Sequence, residues 1–236
     1  GNCYGGRSRL VGGSAPELWR IHQEFYGATE SMRWIVGGTY WDSASTRDGS
    51  GEKQSPTGGD GVYANAQLNW KLSDTSTFNL TVQLTVNFNV YRFYRPTQQN
   101  SNHRLAVAAW WELDDLSRCT SWADSARITL YLQQKEDTRR WHDDMGFVTQ
   151  NGRAKWDTLQ AGAQFSKQLC RHALTYGFSL ESTWGESPDD EQFTVTPIGG
   201  SREKAAPDSV WSSAAIYIED QWELRMRWLL TASLRA

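Results

Sequence analysis

VYANAQLNWKLSDTSTFNLTVQLTVNFNV, residues 62–90, alternates strictly on both sides of one short turn. In the first arm Val62, Ala64, Ala66, Leu68, Trp70 and Leu72 share one parity, while Tyr63, Asn65, Gln67, Asn69 and Lys71 take the other. In the second, Phe78, Leu80, Val82, Leu84, Val86, Phe88 and Val90 alternate with Asn79, Thr81, Gln83, Thr85, Asn87 and Asn89. The connection, Ser73-Asp74-Thr75-Ser76, is all turn chemistry. Successive side chains of a strand point to opposite faces, so the stretch is a β-hairpin with one apolar and one polar face. Its arms of about eleven and thirteen residues exceed the five or six usual in soluble domains and reach the roughly nine to eleven that cross a bilayer. The polar face carries amides and hydroxyls with one charge, Lys71, which suits an enclosed wet lumen. Taken alone, the hairpin also fits a soluble protein that buries its apolar side in a core.

The chain of 236 residues contains no apolar run long enough for a helical membrane span; the longest, residues 105–111, falls far short of the required eighteen or so. Strand alternation cancels in any average, so the mean hydropathy of −0.64 does not argue against a barrel. A net charge of −3 without a basic cluster gives no footprint for nucleic acid. Cys3, Cys119 and Cys170 have no metal-ligand spacing and form no disulfide framework, although Cys119 and Cys170 both fall in expected turns and could pair. No signal peptide is visible before Gly1, and Cys3 lacks the apolar stretch that precedes a lipoprotein acylation site.

Residues 1–16 are Gly- and Ser-rich with little pattern, and they read as the end of a preceding strand or loop. Residues 17–236 read as a partial transmembrane β-barrel domain. Alternation predicts strands near 17–27, 32–42, 62–72, 77–90, 103–113, 126–136, 156–168, 172–184, 211–224 and 226–235. The fold class expected is therefore all-β, an antiparallel outer-membrane barrel of about ten strands. Its connections alternate between tight turns and long loops, as they do at the two rims of such a barrel. The 13 tryptophans follow the same plan. Trp19, Trp34, Trp156, Trp211 and Trp228 lie near strand starts, whereas Trp41, Trp70, Trp110, Trp111, Trp184 and Trp222 lie near strand ends. Amphipathic rings at both ends of the strands are the aromatic girdles of a barrel.

Residues 215–224, AIYIEDQWEL, followed by LLTASLR at 229–235, resemble a hairpin of TonB-dependent outer-membrane receptors. That family commonly shows an aromatic residue, then Gln/Glu-Asp-Glu/Gln-Trp-x-Leu, then Leu-x-Leu-x-x-Gly-Leu-Arg. RWIVGGTY at 33–40, Arg47-Asp48-Gly49 and residues 64–74 look like the family's early barrel, and the order and spacing agree over most of 17–235. Ser233 departs from the pattern, standing where the family usually has Gly, and residues 226–228 replace a more regular turn. The resemblance implies a fragment of a 22-stranded barrel, roughly its first half, without the plug that fills the lumen. It also implies active uptake of a scarce solute such as an iron-siderophore or haem, with no catalytic residue and no cofactor. The partners it implies are membrane lipid and lipopolysaccharide, the iron chelate or haem, and, for the whole protein, the TonB complex, in the outer membrane of a Gram-negative bacterium. A self-contained ten-stranded porin or omptin-like protease, and a soluble β-barrel binding module, are the alternative readings.

Tyr94, Arg95, Arg139, Arg140, Trp141 and His142 are the ligand-contact candidates, placed in expected extracellular loops where aromatic stacking and charge can hold a solute. His142-Asp143-Asp144 also has the composition of half an acid/base site. Asp114-Asp115 falls at the opposite rim and cannot complete it. His22 and His172 are expected at lumenal or interfacial positions, not as ligands. Asp220 lands on an apolar parity, where only a place near the membrane interface is inexpensive.

Overall fold

The protein was analysed as a computed structural model describing residues 1–14, 17–54, 57–92, 95–142, 148–192, 208–225 and 228–236. Eleven strands follow one another as an antiparallel meander: β1 (Cys3–Ser14), β2 (Glu17–Ala28), β3 (Met32–Ser43), β4 (Gly59–Ser73), β5 (Ser76–Arg92), β6 (Arg95–Leu113), β7 (Ser125–His142), β8 (Val148–Leu169), β9 (His172–Gln192), β10 (Ser209–Arg225) and β11 (Trp228–Arg235). Each strand pairs only with its sequence neighbours, and β1 and β11 are the two open edges. The only helical element among the described residues is a 3-10 turn at Leu116–Arg118. An all-antiparallel sheet closes on itself only with an even number of strands. The eleven strands of the described residues leave it open.

The expected strands are all present, and residues 3–14, patternless as sequence, add one more by pairing with β2 from Cys3↔Ala28 to Ser14↔Glu17. The larger difference lies at the far rim. Residues expected as loops, 95–102 and 137–142, continue β6 and β7, paired from Asn102↔Asp137 out to Gln98↔Trp141. From Gln133 to His142, β7 rises about 30 Å beyond Leu132 at roughly 3.3 Å per residue. No apolar parity marks this part of the ribbon, because both of its faces are wet.

Cross-strand register assigns the faces. One row joins Tyr4, Gly27, Trp34, Leu68, Leu80, Ala109, Leu130, Ala161, Leu180 and Ala214 across ten strands. A row nearer the far rim joins Leu10, Ile21, Tyr40, Val62 and Val86, then continues as His103, Glu136 and Lys155. On one face, then, the same row is apolar from β1 to β5 and ionisable from β6 to β8. Tilt explains this. Strands about 4.8 Å apart and inclined by about 40° lift each successive residue of a row by about 3 Å, or about 21 Å over the seven steps from β1 to β8. That is most of the roughly 25 Å height of the apolar band of an outer-membrane barrel.

Among the described residues nothing covers this band away from the short-turn rim. Leu180 is 50% exposed on it, whereas Asn79 on the polar face is 6% exposed. No large side chain among the described residues is fully buried. The accessible surface of 15964 Å² is about one and a half times the roughly 10,800 Å² expected of a compact soluble chain of 26.8 kDa. The sheet therefore has no dry core. Its apolar side faces outward and its amide-bearing side is the crowded, inner one.

Glycine and aromatic residues facing each other pin the register. Gly5 is opposite Tyr26, Gly27 opposite Trp34, Gly61 opposite Trp41 and Gly177 opposite Tyr217. At each glycine a Cβ would come within 2.6–2.8 Å of its partner's side chain, so the ring occupies the space the glycine leaves.

At the short-turn rim the connection between β6 and β7 folds back onto the outer face. Trp122 meets Phe165 edge-on at 4.8 Å, and Phe165 lies 5.7 Å from Tyr176. The Asp124 carboxylate accepts from Lys167 Nζ at 2.7 Å and from the Gln168 amide at 2.8 Å. Asp220, the carboxylate on the apolar parity, sits at this rim 2.8 Å from His172 Nδ1, and the His172 ring stacks on Trp222 at 5.2 Å. Cys119 and Cys170 are both free and exposed.

Candidate functional site: the inner wall and the far rim

The inner wall is built from the parity that faces away from the apolar band. Its middle is a lattice of neutral donors and acceptors. Asn69 Nδ2 donates to Asn79 Oδ1 and Asn87 Nδ2 to Asn102 Oδ1, each at 2.7 Å; Thr158 and Thr183 share a bond at 3.0 Å. Charge enters toward β6–β9, where it is mostly compensated. Arg127 is 2.5 Å from Glu112, Gln160 donates to Glu181 at 2.8 Å, and Arg104 Nε donates to Gln133 Oε1 at 2.8 Å. Tyr131 OH donates to the same Gln133 oxygen at 2.8 Å. Such a surface holds water and small polar solutes without a strong field.

The predicted contact residues are distributed by strand geometry. Tyr94 lies outside the described residues, and Arg95 is the first residue of β6, paired by its backbone to Arg92. Arg139, Arg140, Trp141 and His142 occupy the end of β7 instead of a loop, opposite Asn100, Gln99 and Gln98 of β6. Alternation divides them: Arg139 and Trp141 share the inner parity of Gln133, while Arg140 and His142 share the outer parity of Leu132. His142 Nε2 lies 3.4 Å from Gln99 Oε1 on that outer side. On the inner side Gln98, 4% exposed, donates to Asn100 Oδ1 at 2.7 Å, and Lys135 Nζ lies 5.1 Å from the Trp156 ring centroid. The four residues are thus divided between the two faces of the ribbon. Asp114 and Asp115 sit beyond the other end of β6, so no carboxylate from that turn reaches His142.

A further basic group escaped the sequence reading because residues 1–16 showed no apolar period. Register places Arg9 opposite His22, and His22 opposite Thr39, on the inner wall of β1–β3. The row continues through Tyr63, Thr85, Arg104 and Lys135. The available signal was Arg7 and Arg9 two apart, alternating with Ser8 and Leu10. Among the described residues no group of three or more His, Cys, Asp or Glu could hold a metal ion.

No protein-family model and no curated protein matches the chain. Solved structures do. The siderophore receptor PirA from Pseudomonas aeruginosa superposes with a TM-score of 0.66 at 15% identity, over 99% of this chain and 36% of that one. The copper transporter OprC gives 0.76 at 12% identity, over 100% and 36%. The FrpB iron transporter from Neisseria meningitidis gives 0.73 at 14% identity, over 98% and 40%. The chain therefore spans between 36% and 40% of the length of these structures. Its fold is that of part of the barrel wall of TonB-dependent outer-membrane receptors.

Proposed function

We propose that this chain forms part of the wall of a TonB-dependent receptor that takes up a scarce metal chelate, an iron-siderophore, haem or similar solute, across the bacterial outer membrane. The observation that carries the reading is the open eleven-stranded sheet with a bare apolar band outside and an amide lattice inside. An all-antiparallel barrel needs an even total, and the described residues form eleven strands with two unpaired edges. Neighbours in fold are described as receptors or transporters of siderophore, iron and copper, in keeping with transport and not catalysis. Tyr94, Arg95, Arg139, Arg140, Trp141 and His142 are proposed as first contacts for the solute at the far rim. The partners proposed for the whole protein are the TonB complex, lipopolysaccharide around the apolar band and the chelate itself.

The test is growth under iron restriction. A strain relying on the whole protein should accumulate iron from its chelate, and should stop when TonB is deleted. Accumulation that continues without TonB overturns the energised-uptake reading and favours a passive pore.

A further inference from the structure

Asp220 is a carboxylate on the outer, apolar parity of β10, and little in the sheet answers it. Its neighbours along the row are Leu174 on β9 and Ala232 on β11, neither of which has a side-chain donor. Among the described residues it accepts one hydrogen bond, at Oδ2 from His172 Nδ1 at 2.8 Å, while Oδ1 is covered and has no partner. The two oxygens of a carboxylate can take about four. Because a carboxylate only accepts, the proton of a neutral His172 ring sits on Nδ1, and Nε2 is left as a second acceptor. Trp222, stacked on the imidazole at 5.2 Å with an angle of 14° between the planes, holds that orientation. The side chains of His172 and Asp220 are 39% and 35% exposed, so both open to the outer side. Together they present acceptors and one negative charge. Positive charge lies in the adjoining turn. Arg171 is exposed there, and its side chain makes no hydrogen bond or ion pair with any described residue. Its carbonyl accepts from the Glu223 amide at 2.9 Å, which fastens the turn beside Trp222. Lys167, on the same rim, is already taken by Asp124 at 2.7 Å.

We infer that Asp220, His172 and Arg171 bind the headgroup of phosphatidylethanolamine at the short-turn rim. Short turns of an outer-membrane barrel face the periplasm, and the leaflet on that side is built of phospholipid. A primary ammonium brings one positive charge and three N–H donors, which match the carboxylate and the free Nε2. The phosphate of the same headgroup then meets the Arg171 guanidinium through charge-assisted hydrogen bonds. Phosphatidylglycerol carries that phosphate but no cation for Asp220. Phosphatidylcholine has the cation, but its quaternary nitrogen has no N–H to donate. Ala232 beside Asp220 leaves room that a larger side chain would take, and the acyl chains continue along the exposed Ile218 and Ile216. The inference rests on the outer-membrane placement in the reading above, and not on uptake.

The experiment uses the intact protein in detergent, with native mass spectrometry reading the retention of three phospholipids with identical acyl chains: phosphatidylethanolamine, phosphatidylglycerol and phosphatidylcholine. Wild type should hold phosphatidylethanolamine about tenfold more tightly than either of the others, as one hydrogen bond to a charged group implies. Asp220→Asn should remove that preference, and Asp220→Glu should keep part of it. Arg171→Gln should weaken all three lipids alike, since each carries the phosphate. Heat-modifiable migration of each variant reports that its barrel is intact. Equal retention of the three lipids by wild type, or an unchanged preference in Asp220→Asn, overturns the headgroup site. A melting temperature raised by magnesium and not by phosphatidylethanolamine assigns the carboxylate to a metal ion and overturns it as well. Monodisperse behaviour without detergent removes the membrane reading as a whole, whereas a lost lipid preference leaves TonB-dependent accumulation untouched.

Discussion

The indole of Trp34 fills the space that a side chain on Gly27, directly opposite it, would need: a Cβ there would meet the ring at 2.7 Å, with Tyr4 equally close on the other side. Gly27→Val should therefore cost about 1–3 kcal/mol through overpacking between β1, β2 and β3. Urea titration of the refolded protein in detergent checks this. An unchanged midpoint would show that the ring moves aside freely, and the pairing would then not pin the register.

The clamp at the short-turn rim predicts a pH dependence with a definite sign. The hydrogen bond from Lys167, aided by the Gln168 amide, holds the Asp124 carboxyl below its ordinary value. A group whose folded value is depressed stabilises above its unfolded value near 4 and loses that contribution as pH falls through the folded one. As pH falls below about 4 toward the depressed folded value, the turn at 114–124 should loosen, read as lower amide-exchange protection at the bonds from Asp124 N to Ser166 O and from Leu116 N to Asp124 O. Asp124→Asn should show the loosened exchange at every pH.

Cys170 adopts φ 54 in the two-residue turn between Leu169 and His172. Left-handed backbone there favours glycine, so Cys170→Gly should stabilise the β8–β9 hairpin by roughly 1 kcal/mol. A higher urea midpoint is the expected result, and a fall would mean that the thiol makes a compensating contact.

His172 and Asp220 should be coupled. Removing His172 alone leaves a carboxylate on the lipid-facing side without its 2.8 Å partner, at a cost of about 1–3 kcal/mol. His172→Leu/Asp220→Leu should recover most of that loss, since the half-exposed pair is then replaced by apolar side chains that suit the outer face. A double variant as weak as the single one would show that stacking on Trp222, and not the pair, holds this rim.

The candidate contacts show where sequence legibility stops. Arg139, Arg140, Trp141 and His142 are consecutive and polar, which in a sequence reads as a loop cluster on one surface. As the end of β7 they alternate, and only Arg139 and Trp141 share the inner parity. The opposite error occurred at Arg7 and Arg9, whose strand has Gly and Ser in place of an apolar face. At the end of β7 the hydrophobic period is missing because neither face meets hydrocarbon, whereas in β1 it is broken by Gly6, Ser8 and Gly12, which share the outer parity of Tyr4 and Leu10. Backbone pairing alone makes the strand.

Alternation from Val62 to Val90 determined by itself that the chain forms membrane-length ribbons with an oily and a wet side, because a period of two allows no other placement of side chains. Turn residues such as Ser73-Asp74-Thr75-Ser76 likewise determined where the ribbons reverse. Only the tertiary structure decided the rest: the eleventh strand, the climb of each row across the apolar band, and the meeting of Arg9 and His22 on one wall. Those depend on register between strands, which arises from pairing and tilt across the whole sheet and leaves no mark on any single segment.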